Sequence, residues 1–252
     1  MKARLIVAIA ASLFLSCGAH AQEIKLLASA ALKAAYLELL PQFERETGHK
    51  VAAEWSSSLV IQKRIAAGED ADVVIVANIL GDSLAEEMTK QGKLLAGSRA
   101  VFAKSGVGVA VRAGAPEPDI SSVDALKTSL LHAKSIAYSA GASGVYIVSM
   151  LQKLGIYDEV KSKAVAVKPS EPVGEVVARG DAEIGFHQVS ELLPVKGIHY
   201  LGPLPAEIQN ITVYSGGIHS GTKLEAAAKA LVAFLSTPSA TQSLRKHGLD
   251  PG

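Results

Sequence analysis

Three consecutive serines, Ser56, Ser57 and Ser58, stand directly before a segment whose apolar residues, Val60, Ile61, Ile65 and Ala66, repeat at helical spacing. Hydroxyls at a helix start lie beside the unpaired N–H groups of the first turn, where the helix dipole also favours negative charge. Such an edge holds a small anion without any cationic side chain. The plainer alternative is a serine that only caps the helix. A second turn, Gly141-Ala142-Ser143-Gly144, precedes another long apolar helical segment. There Ser143 offers a hydroxyl and Gly144 permits close approach to the backbone, so this turn is either a second anion site or a plain cap.

These turns lie far apart in the chain, and the elements between them must bring them together. Short apolar strands alternate with amphipathic helices throughout, the pattern of α/β layers around largely parallel sheets. Strands are expected at Ile24–Leu27, Lys50–Glu54, Val73–Val76, Val107–Val111, Ser135–Tyr138, Ala182–Phe186 and Ile211–Ser215. Helices are expected at 30–47, after the triple serine, at 84–91, from Ser122, at 145–154, 173–178, 224–235 and 240–247. Tyr200–Pro205 reads as a stiff connector. This order fits two α/β units joined by two extended crossings, near residues 101–113 and 200–216, with the last stretch returning to the first unit. The expected lobes are 22–103 with 209–252, and 104–208, and a ligand would bind in the cleft between them.

The first 21 residues read as a cleaved export signal: Lys2 and Arg4, an apolar run from Leu5 to Leu15, then Ala19-His20-Ala21. Cys17 permits a second reading, a lipid-attachment site. It is also the sole cysteine, so a chain cut after Ala21 has no disulfide to form. Without Lys2 and Arg4 the 25 basic and 24 acidic residues become 23 and 24, a net of −1. That balance carries no basic stripe for nucleic acid. The histidines show no metal-ligand spacing, and no phosphate loop, dinucleotide fingerprint or nucleophile elbow occurs. The expectation is a periplasmic monomer without metal or cofactor.

Several segments resemble the periplasmic molybdate-binding proteins among the solute-binding proteins of ABC transporters. They are LLASAALKAAYLELLPQFERETGHKV, the triple serine, RIAAGEDADVVIVAN, GVYIVSMLQKLGIYD and VVARGDAEIGF, in that order. The resemblance implies a two-lobed type II periplasmic-binding-protein fold, an oxyanion held by neutral donors, and a membrane permease as partner. Carried onto this chain, the turn serine of the family's site falls on Ser58, beside Ser57. The second-lobe helix start falls on Ser143 and Gly144. The family's first serine falls on Ala31, with Ser29 two residues away, and its tyrosine falls near Gln188. Two side-chain donors are thus replaced, and each lost hydrogen bond to a dianion costs on the order of 1–3 kcal/mol. The segments QVSELLP and GPLPAEIQ resemble a divergent branch that includes a periplasmic aconitate isomerase. Its implied ligand is an organic polycarboxylate. If the branch is enzymatic, His187 or Glu191 would move the proton that shifts a double bond. Lys33, just after the first turn, is placed to pair with a carboxylate.

Overall fold

The computed structural model describes residues 21–168 and 171–252, so the leader and Cys17 lie outside the described residues, Ala21 excepted. The first unit is built on β1 (Glu23–Ser29), β2 (Lys50–Ser56) and β3 (Val73–Ile79). β1 pairs parallel with both neighbours, Leu26 opposite Ala53 and Val73. Parallel partners need crossovers, here α1 (Lys33–Thr47) and α2 (Ser58–Ala66). A short 3₁₀ turn, Ala30–Leu32, leads from β1 into α1, which ends at Gly48 in the left-handed conformation. The hairpin strand β4 (Asp82–Ser83) returns along β3 and feeds α3 (Leu84–Lys90).

Side-chain alternation decides what each face of this sheet covers. Ile24, Leu26, Ala28, Val73, Ile75 and Ala77 join Tyr36, Leu39 and Phe43 of α1 in one apolar cluster. Leu27, Val74 and Val76, one residue out of phase, join Ile61, Ile65 and Met88 on the other face.

β5 (Ala100–Arg112) is a single thirteen-residue strand that belongs to both units. Further on come α4 (Val123–His132), β6 (Ile136–Ser139), α5 (Ala142–Lys153), α6 (Tyr157–Val160), β7 (Ala164–Val167) and α7 (Val173–Arg179). They are followed by β8 (Ile184–Gln188), α8 (Val189–Leu192) and β9 (Ile198–Pro203). The chain closes with β10 (Ile211–Ile218), α9 (Glu225–Phe234), α10 (Pro238–Lys246) and β11 (Asp250–Pro251). The first half of β5 pairs antiparallel with β10, from Ala100–Gly216 to Gly106–Ile211. Its second half pairs with β8 from Val107–Gln188 onward, and with β9 on the other edge. β6 joins β7 and β8 in parallel.

A second core of Val107, Val109, Val111, Ile147, Met150, Leu151 and Phe186 fills this unit. α9 and α10 pack in the first cluster through Leu231 and Leu244, so the chain does return to its first unit. The molecule thus has the two-lobed α/β fold expected from the sequence. Two local expectations change: residues 200–203 belong to strand β9, leaving only Leu204 and Pro205 of the expected connector outside it, and the first crossing is one unbroken strand. No described helix is long and apolar enough to cross a membrane.

Candidate functional site

A cavity of about 940 Å³ opens between the lobes. Four strands deliver their carboxyl-terminal residues to it: Ser29 from β1, Ser56 from β2, Ser139 from β6 and Gln188 from β8. Binding at carboxyl ends of strands is the general expectation for open α/β sheets. Helices α2 and α5 begin at the same cavity and point their N-termini into it.

On the first lobe, Ser57 is the N-cap of α2, its hydroxyl accepting from the Val60 N–H at 3.4 Å. Ser58 does something else. Its buried Oγ accepts from the Ala77 N–H at 2.8 Å, at the end of β3. A hydroxyl has one proton and two lone pairs, so that bond leaves the Ser58 proton available to an acceptor in the cavity. Ser29 is nearly buried and makes no capping bond. On the second lobe, Ser139 and Ser143 share a hydrogen bond at 2.8 Å, and Ser139 Oγ also accepts from the Gly141 N–H at 3.2 Å. α5 has no side-chain cap. Its first N–H groups therefore keep their capacity for an anion.

Tyr214, on β10, is buried in the cavity floor. Burial, and then the negative charge of Glu191, push its hydroxyl well above the ordinary phenol range. It stays protonated, so the hydroxyl retains a proton to donate. Glu191 Oε2 also lies 3.3 Å from His187 Nε2, one helical turn away in sequence. The wall is not wholly polar. Trp55, edge-on to Tyr36 with centroids 6.1 Å apart, contributes an apolar surface together with Val60, Val195 and the exposed Leu37. Exposed Lys33, Lys168 and Lys196 also line the cavity, as do Glu171 and Glu175.

This arrangement, two lobes facing a cavity edged by helix N-termini and hydroxyls, is matched along nearly the whole chain. The model of the bacterial extracellular solute-binding protein family fits residues 24–250. The chain belongs to that family. Among its relatives, an aconitate isomerase from Pseudomonas sp. is 37% identical over 233 residues, covering 90% of this chain and 87% of that protein. The molybdate-binding protein ModA of Azotobacter vinelandii is 32% identical, covering 97% of this chain and 96% of its own. Among solved structures, the periplasmic molybdate-binding protein of Azotobacter vinelandii superposes with a TM-score of 0.74 at 21% identity. That alignment covers 91% of this chain and 99% of the other.

Within this solute-binding fold, the residues singled out from sequence divide. Ser29, Lys33, Ser57, Ser58, Ser143, His187, Gln188 and Glu191 all line the one cavity. Ala31 and Gly144 do not. Ala31 is buried in the first core, and its neighbour Ala30 faces the cavity instead. Gly144 lies against β6, where a Cβ would overlap the Ser139 carbonyl. Its missing side chain is accounted for by packing.

Gln188 lines the cavity, but its amide is committed elsewhere. In the orientation that satisfies its neighbours, Oε1 accepts from the Thr212 hydroxyl at 2.8 Å and Nε2 donates to the Ser105 and Gly106 carbonyls at 3.2 Å each. Both amide protons are used, which leaves none for a ligand. Sequence reasoning missed Ser139, Tyr214 and Trp55. Ser139 carried a usable signal, a hydroxyl at the carboxyl end of a strand. Tyr214 carried none, because alternation within Ile211–Ser215 does not say which lobe each face meets.

Proposed function

We propose that this solute-binding protein holds an organic polycarboxylate, of the size and charge of citrate or aconitate, between its lobes in the periplasm. The observation that carries the reading is the mixed wall of one cavity. Hydroxyl donors from both lobes, Ser58 and the Ser139–Ser143 pair, can each serve a carboxylate, while Trp55, Val60 and Leu37 offer apolar surface to a carbon skeleton. A tetrahedral oxyanion has no carbon body to use that surface. The similarity to an aconitate isomerase supports the same ligand class. The ligand-binding residues are Ser29, Ser58, Ser139, Ser143 and Tyr214, with Lys33 at the rim. The lobes are assigned as 22–103 with 209–252, and 104–208, in line with the separate apolar clusters. Export by the leader, and delivery to an ABC permease, complete the role.

A thermal-shift screen of molybdate, tungstate, sulfate, citrate and the two aconitates tests this. A ligand that binds only the folded state raises Tm further as its concentration exceeds Kd. Citrate or an aconitate should raise Tm and molybdate should not; the reverse outcome would end the polycarboxylate reading.

One observation favours a second, enzymatic reading: the His187–Glu191 pair at 3.3 Å in the cavity wall. A base there would take a proton from the methylene carbon beside a carboxylate. A proton would then return to the former double-bond carbon, so the C=C moves with no net change in atoms or electrons. Conversion of cis- to trans-aconitate, followed by ultraviolet absorbance, should then be lost in His187→Gln or Glu191→Gln. A protein that binds aconitate without turnover is a carrier only.

A further inference from the structure

β5 changes partners between Gly106 and Val107. Up to Gly106 it pairs with β10, and from Val107 it pairs with β8. Here the chain passes from one lobe to the other, and a ladder that switches partners leaves backbone groups in need of bonds. Two glutamine side chains meet that need. The Gln188 amide, from β8, holds the Ser105 and Gly106 carbonyls and the Thr212 hydroxyl of β10. The Gln209 amide comes from the other crossing. Its Oε1 accepts from the Val107 N–H at 2.8 Å and its Nε2 donates at 3.0 Å to the Val107 carbonyl, which also accepts from the Leu204 N–H at 3.0 Å. Gly106 makes room for this, because a Cβ there would stand 3.1 Å from Gln209 Nε2. Three consecutive residues of the crossing strand are thus held by two side chains, and both crossings are tied to one point.

We infer that Gln188 and Gln209 form a two-amide clasp on the interlobe joint, which sets the balance between open and closed arrangements. Side-chain amides suit this role. Ladder bonds form cooperatively along a strand, whereas these amides can follow or release the strand as it rotates. Lobe closure about two crossings concentrates its dihedral change in a few residues, and the clasp sits on them. Gln188 also lines the cavity beside His187, so displacement at this strand end by a ligand reaches the joint directly. The two glutamines are positioning residues: they act on affinity through the joint and not by touching the ligand.

The test needs no ligand, so its outcome is independent of which anion the cleft holds. In a Cys17→Ser background, spin labels on Glu46→Cys of α1 and Thr128→Cys of α4 report the distance between lobes by double electron–electron resonance. Both positions are exposed. The double variant Gln188→Met, Gln209→Met should displace and broaden the distance distribution relative to the parent. An unchanged distribution, whether or not Tm falls, would show that the amides merely satisfy the backbone and would overturn the inference. Should the double variant fail to fold, Thr212→Val removes a single bond to Gln188. It should move the distribution in the same direction by a smaller amount, and no movement there is equally decisive against the clasp.

Discussion

α2 and α5 present their N-termini to the same cavity and are held in place by different forces. α5 is anchored through its apolar body, with Ile147, Met150 and Leu151 buried, and through Gly144 pressed against the Ser139 carbonyl. α2 is shorter and buries only Ile61 and Ile65 among its apolar side chains. Polar ties supply the rest: the Ser57 cap, the Ser58 bond to Ala77, and at its far end Arg64 bound to Glu54 and Glu69 at 2.5 Å each. Apolar burial has no charge to titrate or screen, while ion pairs do. One wall of the cleft is therefore held mainly by packing, and the other adds ion pairs that pH and salt can loosen.

The packing side should give the largest effect. Gly144→Ala forces a Cβ into a backbone carbonyl that cannot swing aside, and should cost about 3 kcal/mol or prevent folding. Gly141→Ala, three residues earlier, is the control. Its backbone is extended and its nearest neighbour, Ser139 Oγ, would stand 3.6 Å away, so denaturant unfolding should place it within about 1 kcal/mol of the parent. Equal losses at the two glycines would break the contrast.

The hydroxyls sharpen it next. Ser58→Ala leaves the Ala77 N–H without its partner and should cost about 1–3 kcal/mol of stability. It should also weaken anion binding roughly ten- to hundredfold, the value of one hydrogen bond to a charged group. Ser143→Ala leaves Ser139 with the Gly141 N–H and the open cavity, so its stability cost should stay near about 0.5 kcal/mol while binding falls by a similar factor. Paired urea unfolding and ligand titration separate the two outcomes. If Ser143→Ala proves as destabilising as Ser58→Ala, the second wall depends on polar ties as much as the first.

What the sequence disclosed follows the same division. Helix starts and apolar periodicity are local properties, so a serine cap before α2 and most of the longer helices were legible from spacing, while the four-residue α6 and α8 were not. Partners of polar groups are not local. Gln188 reads as a ligand donor until the strand that runs past it is known, and Gln209, 102 residues from its Val107 partner, reads only as the end of the segment GPLPAEIQ, with no role of its own. β7, Ala164–Val167, escaped notice because only four residues of modest apolarity form it, at the edge of its sheet. Tyr214 became a site residue only when β10 was seen to lie between β3 and β5, with Tyr214 in the cavity lining. Local physics specified the elements; the site depended on which strand ends the topology brought together.

The smallest expected effect concerns the far end of α2. Hydrogen bonds from Arg64, and then from Lys25, lower the Glu69 carboxyl from its ordinary 4.5 to about 2. A carboxyl whose value is depressed by folding contributes stability that is complete above the unfolded value and is lost as pH falls toward the folded one. The contribution of Glu69 should therefore be intact above about pH 4.5 and disappear between there and about pH 2. The group is partly exposed, so solvent screening keeps the effect near that of a surface ion pair, a fall of about 1–3 °C in Tm. Glu69→Gln should show that fall at pH 6 and converge on the parent as the pH approaches 2, and about 1 M salt should narrow the gap at pH 6. α5 offers the counter-test, since no described side chain pairs with Lys153 at its last turn. Lys153→Gln should change Tm by the same small amount at every pH in that range, because only the attraction of a constant charge to the helix C-terminus is lost.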